Sequence, residues 1–447
     1  MGRPTHSRAL SVWANGEPVG RWIQPARGDM SFVYDPAWRS SPAGRPLSLS
    51  LPYTADTALK GERVRCYFDN LLPDSEPIRR RLALRFRTGS TQAFDLLQAI
   101  GRDCVGAVQL LGDDDVPGDV RRVSATPLSE TEVERVLRQA VATESSLTGW
   151  DDGHEDLRIS LAGAQEKTAL LWHQGQWMRP HGSTPTTHIL KLPMGLVGQR
   201  QADFSTSVHN EWLCMNLLAA YGLPVATTAL LKFGGQTVLG VERFDRQWHS
   251  SGRWLMRLPQ EDFCQVKGLP AQLKYQSDGG PGWADLADVV RGSVNAEQDL
   301  GTLLKTQLLF WLLGAPDGHA KNFSLRLWPQ GRFSLTPLYD VMSIWPVVGA
   351  GPRQVPLQKV KLAMAMGGPN PHYRHHAIQR RHFNRTAARY FGQPDAEGVI
   401  AAVLARTPGA IDTVAARLPA GFPQGVANAI FEGLRRAAAA LARMPAA

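Results

Sequence analysis

Cysteine is scarce in this chain, with four in 447 residues, and its placement argues against two common structural roles. Cys66, Cys104, Cys214 and Cys264 are widely scattered and form no C-x-x-C pair, so neither a disulfide framework nor a zinc site is expected. Cys214 and Cys264 lie inside apolar runs, as buried free thiols in a reducing compartment do, and the sequence reads as cytoplasmic. Long hydrophobic runs are missing too. A run such as positions 308–313 is far too short to span a bilayer, and the opening MGRPTHSRALSVWANG has no apolar signal core. His6 stands where a myristoylated N-terminus wants Ser or Thr, so no membrane anchor is expected. Repeats and low-complexity blocks are absent apart from an alanine-rich stretch around Arg435 to Arg443.

What the chain has is length and a mild positive charge. At 447 residues it exceeds the size at which one hydrophobic core stops growing, so two or more packed units are expected. The net charge of +9 is spread along the chain and selects no partner by itself. Its densest cluster is Arg374-His-His-Ala-Ile-Gln-Arg380-Arg-His-Phe-Asn-Arg385, with Lys359 and Lys361 just before it. This reads either as a solvated face or as a phosphate-contacting patch, with Arg380 and Arg381 as candidate DNA contacts.

Texture divides the chain into four stretches. Residues 1–112 mix strand-like segments at 10–13 and 31–34 with a polar helix from about Asp74 to before Gly89, an N-terminal α/β domain closed by the turn-rich Gly112-Asp-Asp-Asp-Val-Pro-Gly118. Residues 113–156 read as a connecting helix and linker, with Ser129 as N-cap and Glu132 at the capping-box position. Residues 157–245 carry strand-like segments at 157–161, 168–172, 188–192 and 237–244, with one helix at 211–221 stopped by Gly222 and Pro224. Residues 246–447 turn largely helical, most clearly at 298–313, where apolar positions 300, 303, 304, 308, 311 and 312 keep the period of a buried helix face. The expected class is α+β: a two-lobed, protein-kinase-like fold with an additional N-terminal domain and a mainly helical C-terminal lobe.

Gly314 and Pro316 end that last helix and release Leu313-Gly-Ala-Pro-Asp-Gly-His-Ala-Lys-Asn322, which sets Asp317 and Asn322 five positions apart. Protein kinases space a catalytic aspartate and a magnesium-binding asparagine in this way. Beyond an expected hairpin, Asp340 offers a second carboxylate, and hard oxygen donors of this kind suit magnesium. Asp317 suits the task of accepting the proton of an attacking hydroxyl. Lys191, ending the strand His188-Ile-Leu-Lys191, resembles the kinase strand lysine that pairs with phosphates, and Glu211 is placed to orient it. The phosphate cradle expected is Ala162-Gly163-Ala164-Gln165-Glu166-Lys167, which has a single glycine and is neither a G-x-G-x-x-G loop nor a P-loop. Glu242, Arg243 and Phe244 fall where a kinase hinge presents backbone groups to adenine, and His319 and Lys321, beside the catalytic loop, are placed to add hydrogen bonds or positive charge to the phosphates. Singly each residue has a bland reading as turn former, surface strand residue or helix cap; it is their order along the chain that points to ATP-dependent phosphoryl transfer.

In this order the chain resembles the HipA family, serine/threonine-protein kinase toxins of bacterial type II toxin–antitoxin systems. The resemblance runs through Phe68-Asp-Asn-Leu-Leu-Pro-Asp-Ser75, Phe94-Asp-Leu-Leu, Gly101-Arg-Asp and Val105-Gly-Ala. It continues in Arg158-Ile-Ser-Leu-Ala-Gly-Ala-Gln-Glu-Lys-Thr-Ala-Leu-Leu171, Pro185-Thr-Thr-His-Ile-Leu-Lys-Leu-Pro193, Val241-Glu-Arg-Phe-Asp-Arg246, Leu258-Pro-Gln-Glu-Asp-Phe-Cys-Gln265, Lys274-Tyr-Gln-Ser-Asp-Gly-Gly-Pro281 and Tyr339-Asp340. It implies ATP and Mg2+ as cofactors, Asp317 as catalytic base, Asn322 and Asp340 as metal ligands, and Lys191 with residues 162–167 on the phosphates. It further implies that Glu242 to Phe244 form the adenine hinge, that His319, Lys321 and Tyr339 line the nucleotide site, and that Ser160 is a site of inactivating autophosphorylation. The implied partners are a HipB-like helix-turn-helix antitoxin, operator DNA reached through that complex, and an aminoacyl-tRNA synthetase as substrate, with glutamyl-tRNA synthetase the family's characterised target. Two other classes fit parts of the pattern: a catalytically silent antitoxin-binding scaffold, and a small-molecule kinase.

Overall fold

Leu10, Val12 and Ala14 alternate with more exposed neighbours along β1 (Arg8–Ala14), and this period of two turns one face of the strand into a core. In the computed structural model, which describes residues 6–141, 159–198, 200–367 and 370–446, β1 lies between β2 and β5 in an antiparallel sheet. Its strands β2 (Glu17–Gln24), β3 (Ser31–Tyr34), β4 (Leu59–Lys60) and β5 (Val108–Gly112) lie in the order β4-β3-β2-β1-β5. Trp22 on β2 stacks on Phe68 at 4.1 Å and lies against Phe94, sealing the sheet to α2 (Glu62–Asp69) and α4 (Ala93–Ile100) beyond the short α1 (Pro36–Ser40). Between them, α3 (Glu76–Arg85) follows Ser75 and carries Arg79, Arg80, Arg81 and Arg85.

The second unit is a six-stranded sheet, ordered β12-β13-β9-β7-β8-β6. Its strands are β6 (Ala125–Pro127), β7 (Lys167–His173), β8 (Gln176–Pro180), β9 (His188–Lys191), β12 (Thr228–Phe233) and β13 (Gln236–Glu242), with a side hairpin of β10 (Gly195–Val197) and β11 (Ala202–Phe204). Here the structure differs from the sequence reading twice. The stretch expected to be a connector is part of this lobe: β6 is its edge strand, and α5 (Glu130–Val141) lays Val133, Val136 and Leu137 on Leu170, Leu190 and Val238, because that apolar stripe needs a face to cover. Its N-terminus has the expected capping box, with Glu132 N–H donating to Ser129 Oγ and Ser129 N–H to Glu132 Oε2. The rest of the connector, 142–156, lies outside the described residues. Of the strand expected at 157–161, residues 157 and 158 are outside the described residues; the described part, 159–161, is not a strand of this sheet, and Ile159 bridges singly to Asp103 of the N-terminal domain.

Helix α6 (Ser207–Ala220) begins four residues earlier than expected and packs against β12 and β13. Beyond the hairpin β14 (Arg246–Trp248) and β15 (Leu255–Arg257), a sheet of β16 (Gln260–Asp262), β17 (Ser324–Leu327) and β18 (Phe333–Leu335) sits among α7 (Phe263–Lys267), α8 (Trp283–Val290) and α9 (Ala296–Leu312). Leu303, Leu304, Leu308, Trp311 and Leu312 of α9 enter the largest core, as their spacing requires. A last hairpin, β19 (Lys361–Met366) with β20 (His372–Arg374), precedes α10 (Arg380–Tyr390), α11 (Glu397–Ala415) and α12 (Gln424–Arg443). By length and composition, α11 is the one described helix apolar enough to cross a membrane; it lays Ile400, Val403, Ile411 and Val414 into that same core.

Five buried ionic groups join the three units. Asp103 of the N-terminal domain pairs with Arg243 at 3.2 Å, Arg246 at 2.9 Å and Arg257 at 3.1 Å, and Asp245 pairs with Arg243 at 2.9 Å. Burial opposes ionisation of Asp103, yet the three guanidinium groups and the Thr186 hydroxyl hold its carboxyl well below the usual carboxylate range.

Candidate active site

The last turn of α9 is buried and rigid, so the loop it releases starts from a fixed point. His319 N–H donates to Asp317 O at 2.8 Å and Asn322 N–H to His319 O at 2.9 Å, closing the loop on itself. Gly318 is required there, since a Cβ would sit 2.3 Å from the Phe310 ring. Asn322 Nδ2 donates to Asp317 O at 2.8 Å and to Asp340 O at 3.4 Å, tying the two acidic loops together. The Asp317 side chain remains half exposed at 55%.

Asp340 adopts φ +61°, a left-handed backbone that a non-glycine residue holds only when its surroundings enforce it. The enforcing contacts are Ala226 N–H to Leu338 O at 2.8 Å, Leu338 N–H to Pro224 O at 2.9 Å, and Tyr339 Oη to Lys321 O at 2.8 Å. The carboxylate so placed accepts from Lys191 Nζ at 2.7 Å, and the same ammonium donates to Glu211 Oε1 at 2.7 Å. The pairing of Lys191 with Glu211 expected from order along the chain is therefore formed. Burial pushes the Glu211 carboxyl up to about 7 against the pull of Lys191, while Lys191 is raised by Asp340 and Glu211 in spite of burial. Burial likewise opposes the charge on Asp340, but Lys191 and then Lys167 hold it well below the usual range.

The cradle is tied to the N-terminal domain. Ser160 is fully buried, donates its hydroxyl to Leu71 O at 2.7 Å and its N–H to Asp103 O at 3.1 Å. Asp74 N–H donates to Gly163 O at 3.1 Å, Gln165 Nε2 donates to Leu192 O at 2.7 Å, and Glu166 forms an ion pair with Arg81. Gly163 has φ +104° and a Cβ there would meet Lys167 Nζ at 2.6 Å, so glycine alone permits this approach. Burial and the neighbouring Lys191 lower the Lys167 ammonium to about 8.

A cavity of about 170 Å³ gathers Ala162 to Gln165, Lys167, Lys191, Glu242 to Phe244, Asp317, His319, Lys321, Asn322, Tyr339 and Asp340. Glu166, Ser160, Arg380 and Arg381 are outside its walls. Asn70, Leu71 and Asp74 of the N-terminal domain complete it, together with Lys274; reasoning from kinase parts alone passes over all four, although they sit in the Asp69–Ser75 and Lys274–Pro281 stretches that carry the family resemblance.

Three expectations change on contact with this geometry. Lys321 does not point its charge at a phosphate position: its ammonium donates to Asn70 Oδ1 at 2.6 Å and pairs with Asp262 at 3.1 Å and Asp74 at 3.6 Å. In the hinge stretch, Glu242 N–H is spent on Thr227 O and Arg243 N–H on Thr187 O, and the Arg243 side chain belongs to the buried ionic junction. Phe244, whose ring lies 5.7 Å from that of Tyr339, keeps its N–H free of protein acceptors among the described residues. Arg380 is engaged with Glu397 as an ion pair, which leaves Arg381 as the exposed member of that dipeptide.

The donor set fits a magnesium nucleotide. Asn322 spends its amide hydrogens on backbone and keeps Oδ1, and Asp340 keeps the oxygen that Lys191 does not take. Among the described residues no group of three His, Cys, Asp or Glu side chains converges to hold a metal alone, and magnesium at such a pair completes its shell with water and phosphate oxygens. Lys167 and Lys191 bring positive charge into the same cavity.

Comparison with known proteins places matches over both ends of this architecture. A model of the HipA N-terminal domain matches residues 10–111, and one of the HipA-like C-terminal domain matches residues 159–411. The putative kinase Y4mE of Sinorhizobium fredii is 38% identical over 342 residues, 75% of this chain and 77% of that protein. The serine/threonine-protein kinase toxin HipA of Shewanella oneidensis is 28% identical over 344 residues, 73% of each chain. Among solved structures, the Shewanella oneidensis MR-1 complex of HipA, HipB and operator DNA contains a chain of the same fold, with a TM-score of 0.77 at 22% identity over 97% of both chains.

Proposed function

The chain belongs to the HipA family, whose matched relatives are named as kinases, and from that premise we propose that it is an ATP- and magnesium-dependent serine/threonine-protein kinase acting through the cavity around Asp317. The observation that carries this reading is the Lys191 contact with both Glu211 and Asp340 at 2.7 Å: one ammonium links the strand, the helix and the metal-side carboxylate, as an assembled phosphoryl-transfer site needs. The substrate hydroxyl oxygen bonds to the γ-phosphorus while the bond from that phosphorus to the bridging oxygen breaks. ADP leaves, and the hydroxyl proton passes to Asp317. Asn322 and Asp340 would hold magnesium, which would supply charge neutralisation on the phosphates. Lys167 and Lys191 bind and orient the triphosphate, and Phe244, Tyr339 and His319 shape the nucleotide pocket.

The family resemblance supplies the finer reading. The kinase is the toxin of a HipBA module, and its substrate is an aminoacyl-tRNA synthetase, with glutamyl-tRNA synthetase the first candidate; modification of that enzyme starves translation and arrests growth. A HipB-like antitoxin binds the chain and brings it to operator DNA as co-repressor. Ser160 is the autophosphorylation site. A phosphate on it adds close to two negative charges beside the cradle and removes the hydroxyl donor that Leu71 O accepts from.

The test is the full chain with Mg-ATP, followed by mass spectrometry of the Ser160 peptide and by phosphoproteomics of arrested cells, wild type against Asp317→Gln. Phosphoryl mass and arrest are expected for wild type alone. A wild-type chain that neither binds ATP nor gains phosphate would overturn the enzyme reading.

A further inference from the structure

Tyr275 lies 42 positions before Asp317 in sequence, yet its phenol donates to Asp317 Oδ1 at 2.6 Å. The segment that presents it is fixed at both ends. Ala320 N–H, inside the catalytic loop, donates to Lys274 O at 3.1 Å, and Lys274 Nζ pairs with Asp74 at 3.0 Å. On the far side Gln276 Oε1 accepts from Ala365 N–H at 2.7 Å, and Gly280 approaches Leu273 O so closely that a Cβ would stand 1.8 Å from it. The Tyr275 ring is also held edge-on to His319, 5.1 Å between centroids at 84°. Against this rigid presentation the Asp317 side chain is half exposed, and among the described residues no other hydrogen-bond donor reaches its carboxylate; His319 Nε2 stands 4.0 Å from Oδ2.

We propose that Tyr275 is a positioning residue for phosphoryl transfer: its hydroxyl occupies Asp317 Oδ1 and fixes the rotamer, so that Oδ2 alone is presented to the substrate hydroxyl. The inference rests on the reading of Asp317 as the proton acceptor. A carboxylate on an exposed side chain otherwise samples several rotamers, and only a fraction of them direct an oxygen at the attacking hydroxyl. A charge-assisted hydrogen bond from a clamped phenol removes that freedom without touching the nucleotide. During the reaction the substrate proton arrives at Oδ2 while Tyr275 keeps its own proton at Oδ1. The phenol is suited to this, because burial and the adjacent Asp317 raise it well above the ordinary tyrosine range.

Tyr275→Phe keeps the ring and its contact with His319 and removes the donor. With the full chain and saturating Mg-ATP, the maximal rate of phosphate incorporation should fall by about ten- to a hundredfold, the scale of a reacting group misplaced by about 1 Å. The ATP concentration giving half that rate, and the Mg-ATP dissociation constant, should stay within about twofold. In the Asp317→Asn background the same change should have no further effect on the rate. A Tyr275→Phe chain with unchanged or raised rate overturns the inference while leaving Asp317 in place, and so does a parallel loss of rate and ATP affinity. An Asp317→Asn chain with the wild-type rate overturns the underlying reading of Asp317 as proton acceptor instead.

Discussion

Replacing Asp103 by asparagine tests the claim that a buried ionic junction, rather than surface contact, joins the N-terminal domain to the hinge. The aspartate contacts three guanidinium groups within 3.2 Å and accepts from Thr186 Oγ1 at 2.7 Å and Thr186 N–H at 3.1 Å. Its side chain is only 7% exposed, so solvent screens these pairs weakly. The Asp103→Asn substitution would leave three buried cations facing Asp245 alone, and removing one partner of a buried pair costs about 3–5 kcal/mol. The sign with pH follows from the depressed carboxyl. Its stability contribution is present above the unfolded value of about 3.9 and is lost as pH falls from there toward the lower native value. Urea unfolding at neutral pH, followed by tryptophan fluorescence, should therefore show the full deficit in the first transition, and the difference between the two chains should shrink only below about pH 4. Because Arg243 borders the hinge, Mg-ATP affinity should fall as well. A deficit under about 1 kcal/mol, the range of exposed ion pairs, would refute the reasoning.

Two further outcomes follow from contacts nearer the site and at the surface. Ser160→Ala strands the buried Leu71 carbonyl, which costs about 1–3 kcal/mol. Amide exchange in 159–167 should then accelerate by about tenfold or more, and unchanged protection would show that the strap is held elsewhere. If the α10 arginines meet operator phosphates in an antitoxin complex, Arg381→Ala should weaken DNA binding uniformly across sequences and lower the salt slope by about 1. Arg380→Ala should instead lower the melting temperature through loss of Glu397 and leave the salt slope alone; equal slopes for both variants would sink the assignment.

What the sequence makes legible here is what depends on local spacing. Asp317 and Asn322 share one loop, so their separation is a fact of the chain; Lys191 ends a strand and Asp340 follows a hairpin, and each is marked by its neighbours. The 298–313 helix is readable from its period because Leu303, Leu304, Leu308 and Leu312 face one core. The capping box at Ser129 is legible for the same reason, since both halves of it lie within four residues.

Contacts made over long separations are not legible. Lys321 reads as a phosphate ligand because it adjoins the catalytic loop, but the charges that claim it, Asp74 and Asp262, come from two other segments, one of them in the N-terminal domain. The hinge reading of Glu242 to Phe244 follows strand order, and strand order cannot tell that Asp103 will draw Arg243 inward. The segment at 157–161 carries the apolar residues of a strand, yet its described part is claimed by Asp103 and Leu71 rather than by the neighbouring sheet. Each of these departures has the same partner, the loops at 69–75 and 101–104. The N-terminal domain is thus a structural part of the cavity: it closes one wall through Asn70 and Asp74, latches the cradle through Leu71 and anchors the hinge through Asp103. A lone two-lobed kinase fold of this sequence would lack all three supports, which is why the isolated segment from 159 onward should bind Mg-ATP far more weakly than the full chain.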